Sequence, residues 1–95
     1  MYARITAFKV DPARLPELAA NLEKMAPAAK GLRGVADIYV SWRGDGQGMV
    51  TAIYASKADA DAAVGRIQAL WGHLIALLEG APRTDTYESV VHIAG

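Results

Sequence analysis

Few side chains in this sequence can move a proton, hold an anion or orient a ligand. Histidine occurs only at positions 73 and 92, and with an ordinary pKa of about 6.5 His73 suits a general base. Arg4 lies in the apolar run Ala3-Arg4-Ile5-Thr6-Ala7, where a cation must be paired. Tyr39 and Tyr54 offer phenolic hydroxyls able to place a phenol or a carboxylate. Arg4, Tyr39 and His73 are therefore the candidate catalytic groups, and Thr6, Ser41, Tyr54 and Trp71 the candidate ligand-lining ones. The competing reading is structural: Trp71 recurs at helical spacing with Ile67, Leu74, Ile75 and Leu78, the pattern of a core or a subunit interface. A helix-surface histidine flanked by glycine is commonly just solvated.

Other chemistries are disfavoured. Two histidines with no third partner at ligand spacing do not make a zinc or iron site, which needs three or four converging groups, so no metal is expected. Cysteine is absent, which removes thiol catalysis, thiolate metal sites and disulfides, and fits a reducing compartment. Ser41, His92 and Asp37 supply the members of a hydrolytic triad without its nucleophile-elbow spacing. The loop Gly44-Asp45-Gly46-Gln47-Gly48 lacks a following Lys-Ser/Thr and a following helix, so it reads as a hairpin and not as a phosphate cradle.

The chain has 95 residues with ten basic and ten acidic side chains. It is expected to form one domain over residues 1–95, and its neutral balance disfavours nucleic acid and anionic membranes as partners. No apolar run approaches the roughly 18 to 20 residues of a membrane span, and Met1 leads straight into a strand, so a soluble, unprocessed cytoplasmic protein is expected. The apolar fraction of 53% is high for this size and suggests surface shared with a partner.

The elements that must position these groups follow from periodicity. Tyr2 to Val10, Val35 to Arg43, Met49 to Ser56 and Thr84 to Ile93 have strand character; Pro12 to Ala29 and Lys57 to Glu79 have helical spacing. Asp11 and Pro12 open the first helix, with Pro27 predicting a bend or an early stop. Ser56 and Asp59 resemble a capping box for the second, in which Gly65 and Gly72 predict a kink or a break. The order β-α-β-β-α-β is the split βαβ, ferredoxin-like unit: an α+β fold with a four-stranded antiparallel sheet and both helices on one face.

Alternation along the strands assigns faces. Ala36, Ile38, Val40 and Trp42 are expected against the helices, with Asp37, Tyr39, Ser41 and Arg43 opposite. In the first strand Ala3, Ile5 and Ala7 are the helix-side candidates, leaving Tyr2, Arg4, Thr6 and Phe8 on the far face. In the last, Tyr87, Val91 and Ile93 oppose Glu88, Val90 and His92. Two such far faces, brought together in a homodimer, would enclose a cavity lined by Arg4, Thr6, Tyr39, Ser41 and Tyr54.

This order, the first strand running into Asp11-Pro12-Ala13-Arg14, the Tyr54-Ala55-Ser56 junction and the closing Tyr87-Glu88-Ser89-Val90-Val91 together resemble the dimeric α+β-barrel superfamily, and within it the antibiotic biosynthesis monooxygenase family. The resemblance spans nearly the whole chain. It implies a homodimer with facing sheets that encloses a small apolar or aromatic ligand, and an activity among cofactor-independent oxygenases of polyphenolic aromatics or haem degraders. A non-catalytic ligand-binding or assembly module of the same fold is the alternative. His73, on the second helix with Trp71 two residues before it, is compatible with the haem-ligand position of the family. However, the asparagine that such oxygenases carry near the first strand is replaced here by Arg4 and Thr6. No cofactor is therefore expected, haem being the weaker implication.

Overall fold

A computed structural model describes residues 1–94. The strands are β1 (Tyr2–Lys9), β2 (Val35–Trp42), β3 (Gln47–Tyr54) and β4 (Arg83–Tyr87), and the helices are α1 (Leu15–Lys30) and α2 (Lys57–Gly72). They form one sheet in the order β2-β3-β1-β4 with every neighbour antiparallel. Strand β3 thus lies between β1 and β2, as the split βαβ order requires.

Proline and glycine chemistry sets the helix ends. Asp11 accepts a hydrogen bond from the Ala13 amide at 2.9 Å, but the first turn, Pro12–Arg14, is 3₁₀. Pro16 has no N–H to return to the Pro12 carbonyl, which takes the Leu15 amide instead. Helix α1 then runs through Pro27 to Lys30, so the early stop predicted from Pro27 is not found. Ser56 caps α2 by accepting from the Asp59 amide at 3.2 Å, while its own hydroxyl reaches the Asp59 carboxylate at 3.0 Å. The break predicted in the second helix falls at Gly72, after which Ile75–Leu77 forms a separate 3₁₀ turn.

The glycine loop is a hairpin. Arg43 and Gly46 close it by backbone bonds, and Gly46, at φ +88, hands its carbonyl to the Val10 amide at 2.8 Å. A side chain on Gly46 would strike the Val10 carbonyl oxygen. Farther along, the Phe8 ring lies across Gly48, its cross-strand partner, and meets Trp71 edge-on at 6.1 Å between centroids.

The structure corrects the face assignment of β1. Tyr2, Arg4, Thr6 and Phe8 point toward the helices: Phe8 meets Trp71, and Arg4 reaches the Ala60 carbonyl of α2. Ala3, Ile5 and Ala7 lie on the open face. In register with Tyr2, Arg4 and Thr6, the β3 residues Tyr54, Ala52 and Val50 pack beneath the helices with Ile38 and Val40 of β2. The short residues of β1 made it look helix-facing, yet the large buried ones are those the helices need, since one residue of slip exchanges the faces.

The last strand is also shorter than predicted. Tyr87 pairs with Ala3, so residues beyond it run past the first residues of β1 and find no ladder partner. Positions 88–94 carry no strand, and Val91 and Ile93 are 79% and 91% exposed.

The interior is divided. One buried cluster gathers Tyr2, Ala52, Tyr54, Ala60 and Ala63 near the start of α2. The other gathers Phe8, Val10, Leu18, Leu74 and Leu77 under α1 and the 3₁₀ turn.

Candidate functional site

The gap between the two clusters is a cleft of about 440 Å³, walled by α1, α2, β2 and β3. This lies within the range of about 300–1,000 Å³ common to small-molecule sites. Leu22, Met25, Ala26 and Ala29 recur along one stripe of α1 and form one wall; Ile67, Leu70, Trp71 and Leu74 of the α2 region form the second. Ile38, Val40 and Val50 make the floor. Lys30, at the end of α1, brings the lining its one basic residue, and Val35 to Asp37 of β2 complete the rim. At that rim β2 bulges: Val35 pairs with Tyr54 and Asp37 with Ile53, which leaves Ala36 outside the ladder.

The sequence-predicted site residues do not converge. Arg4 and Tyr54 sit on the helix side. The Arg4 guanidinium donates to the Ala60 carbonyl and to Asp61, each at 2.9 Å, and lies 5.9 and 6.0 Å from the Tyr2 and Tyr54 ring centroids. Tyr54 is fully buried, and burial pushes its hydroxyl above the usual tyrosine pKa while Arg4 opposes the shift. It is therefore a neutral phenol near pH 7.

Thr6 is buried with its hydroxyl 2.9 Å from that of Thr84. The two threonines line a shallower hollow of about 400 Å³ shared with Gln68, Ile75 and Pro82. Tyr39 and Ser41 are on the opposite, open face, Tyr39 being 63% exposed. His73 is exposed at the cap of α2 and belongs to the lining of neither hollow. The set expected around a facing-sheet cavity is thus split between two sides of the sheet. Of the seven candidate site residues only Trp71 reaches the cleft, and it also walls the second hollow.

Sequence reasoning missed the cleft itself. Its signal is the apolar spacing at 22, 25, 26 and 29 of α1, a pattern equally typical of a helix face packed on a sheet. Nothing local distinguishes a stripe that packs tightly from one that stands off. Haem chemistry does not suit this lining: an axial ligand is drawn from His, Cys, Met or Tyr, and the cleft offers only the thioether of Met25. Among the described residues, no three of His, Cys, Asp and Glu converge on a metal-sized point, and no helix is long and apolar enough to cross a membrane.

No protein-family model matches the chain, and no curated protein matches it in sequence. Solved structures do resemble it. A protein of unknown function from Nitrosomonas europaea superposes with a TM-score of 0.81 at 20% identity, covering 99% of this chain and 93% of its own. A candidate antibiotic biosynthesis monooxygenase from Caulobacter crescentus gives 0.80 at 20% identity over 95% and 90%. An arginine-to-serine variant of MhuD, solved with two manganese protoporphyrin IX molecules bound per active site, gives 0.74 at 19% identity over the full length of both chains. The chain therefore has the ferredoxin-like α+β fold shared by structures named as antibiotic biosynthesis monooxygenases.

Proposed function

We propose that this protein is a homodimeric cytoplasmic binder of a small apolar or aromatic molecule, held in the cleft between α1, α2 and the sheet. The observation that carries the reading is the divided core. A 95-residue chain has little apolar surface to spare, yet here the half-buried side chains that could close its centre line a cleft of ligand size. The open face of the sheet supports the dimer. Ile5, Met49, Thr51 and Ile53 lie there between the exposed rings of Tyr39 and Tyr87, a surface better covered by its own copy than left in water.

A second reading, a cofactor-independent monooxygenase, draws support from the names of the structural neighbours. In it the cleft would supply orientation and dry surroundings to a substrate that reacts through its own electron-rich anion. The occupied guanidinium of Arg4 and the exposed position of His73 favour binding over catalysis by these groups.

Native mass spectrometry of gently purified protein tests the reading in one spectrum. A dimer retaining a small-molecule adduct is the expected result, and oxygen uptake by that complex would add the oxygenase activity. A monomer that takes up no apolar ligand would overturn the proposal.

A further inference from the structure

Building on the reading of the cleft as a ligand site, we infer its ligand class: a hydrocarbon body ending in a single anionic head, as in a medium-chain monocarboxylate, with the head at Lys30. The walls and floor are made of Leu, Met, Ala, Val, Ile and Trp side chains. A ligand hydroxyl or carboxylate placed among them would lose its water with nothing to replace it, at a cost of roughly tenfold in affinity or more per group. A body rich in hydroxyls is therefore rejected, and a polar group is tolerated only at the rim.

Two charged residues border the rim, Lys30 and Asp37. Lys30, the one basic residue of the lining, is exposed and, like Lys24, Arg33 and Arg66, has no ion-pair partner among the described residues. Lys30 can lay its methylenes along the apolar wall and keep its ammonium at the mouth. The carboxylate of Asp37 belongs to the other side of the sheet, where Tyr39 reaches it at 3.5 Å. Beside Lys30, the β2 bulge leaves Ala36 out of the ladder, so backbone polar groups as well as the ammonium border the place where a head would sit.

The test uses the Trp42→Phe protein, in which Trp71 is the one remaining tryptophan and reports from the cleft wall. Its fluorescence is titrated with decanoate, 1-decanol and decanedioate, all below their micellar concentrations, and with a planar polyphenol. Decanoate is expected to bind most tightly and decanedioate at least tenfold more weakly, since one of its carboxylates must enter the apolar interior. Lys30→Met should weaken decanoate about tenfold and leave 1-decanol unchanged. Equal binding of decanoate and decanedioate, or no effect of Lys30→Met on decanoate, would overturn the assignment of the ligand class while leaving the cleft as a binding site. Tighter binding of the polyphenol than of decanoate would do the same. If no compound perturbs Trp71, the cleft reading and the ligand class fall together.

Discussion

Replacing Arg4 with methionine separates a structural arginine from a functional one. Methionine keeps the length and apolar volume of the side chain but removes everything the guanidinium holds. The hydrogen bond from a charged donor to the Ala60 carbonyl, at 2.9 Å, is worth about 1.5–3 kcal/mol. The ion pair to Asp61 contributes less, about 0.2–1 kcal/mol, because the Asp61 side chain is 52% exposed. The two ring contacts stand at the outer limit of cation–π range and add about 0.5 kcal/mol each. Against this, methionine is spared the cost of desolvating a charge on a side chain only 20% exposed. The net expected loss is about 2 kcal/mol, which at a urea dependence of about 1.3 kcal/mol per molar lowers the unfolding midpoint by roughly 1.5 M. Asp61→Ala removes the exposed partner of Arg4 and also the exposed pair to Lys57 at 3.6 Å, and since each is worth little in water its midpoint should move by less than about 1 M. Equilibrium urea unfolding followed by far-ultraviolet circular dichroism measures both. If Arg4→Met unfolds at the parental midpoint, the guanidinium is not held as described and is free to serve a ligand. If Asp61→Ala costs as much as Arg4→Met, the ion pair and not the Ala60 bond fastens β1 to α2.

Three further outcomes follow from the same geometry. Gly65→Ala, with nothing within 4 Å of the added methyl, should stabilise α2 by about 1 kcal/mol, whereas Gly46→Ala combines positive φ with a clash against the Val10 carbonyl and should lower the thermal midpoint sharply. Tyr54 has a folded-state pKa raised by burial, so above the unfolded value of about 10 the unfolded chain releases a proton the folded one keeps; stability should fall with rising pH there, and Tyr54→Phe should flatten that alkaline limb in pH-dependent urea melts. If the protein is the proposed dimer, Met49→Lys places a charge on the hairpin end of its open face and should shift sedimentation from dimer to monomer without changing the circular dichroism spectrum; an unchanged dimer would move the subunit contact elsewhere.

Architecture was legible in the sequence because it rests on punctuation that acts locally. Asp11-Pro12, Ser56 with Asp59, the Gly44–Gly48 hairpin and the break at Gly72 all stand where short-range chemistry puts them. What depended on contacts distant in sequence was harder to read. Strand β1 alternates Tyr, Arg, Thr and Phe against Ala, Ile and Ala, and either set satisfies a period of two. The choice is made by partners far along the chain: Gly48 makes room for Phe8, Ala60 and Asp61 receive Arg4, and Trp71 meets the Phe8 ring. The end of β4 is likewise set by the reach of β1 and not by the apolar character of residues 90–93.

That reversal of β1 changes which half of the molecule can hold a ligand and which can meet a partner. With Arg4 and Tyr54 turned inward and engaged, β1 gives the open face only Ile5 and Ala7 beside Ala3, which is itself buried. Tyr39, Ser41, Thr51 and Tyr87 share that face, with Asp37, Asp85 and Arg83 on its outer strands, so a copy packed on it would meet a mixed surface from which Arg4 and Tyr54 are missing. The cleft lies on the helix side of the sheet. On the proposed reading, ligand binding and dimerisation therefore use opposite faces of one sheet, and a substitution that separates the subunits, such as Met49→Lys, should leave decanoate affinity at Trp71 within about twofold of the dimer's. A ligand affinity that collapses with the dimer would show that the second subunit completes the site, and would restore the facing-sheet cavity to consideration.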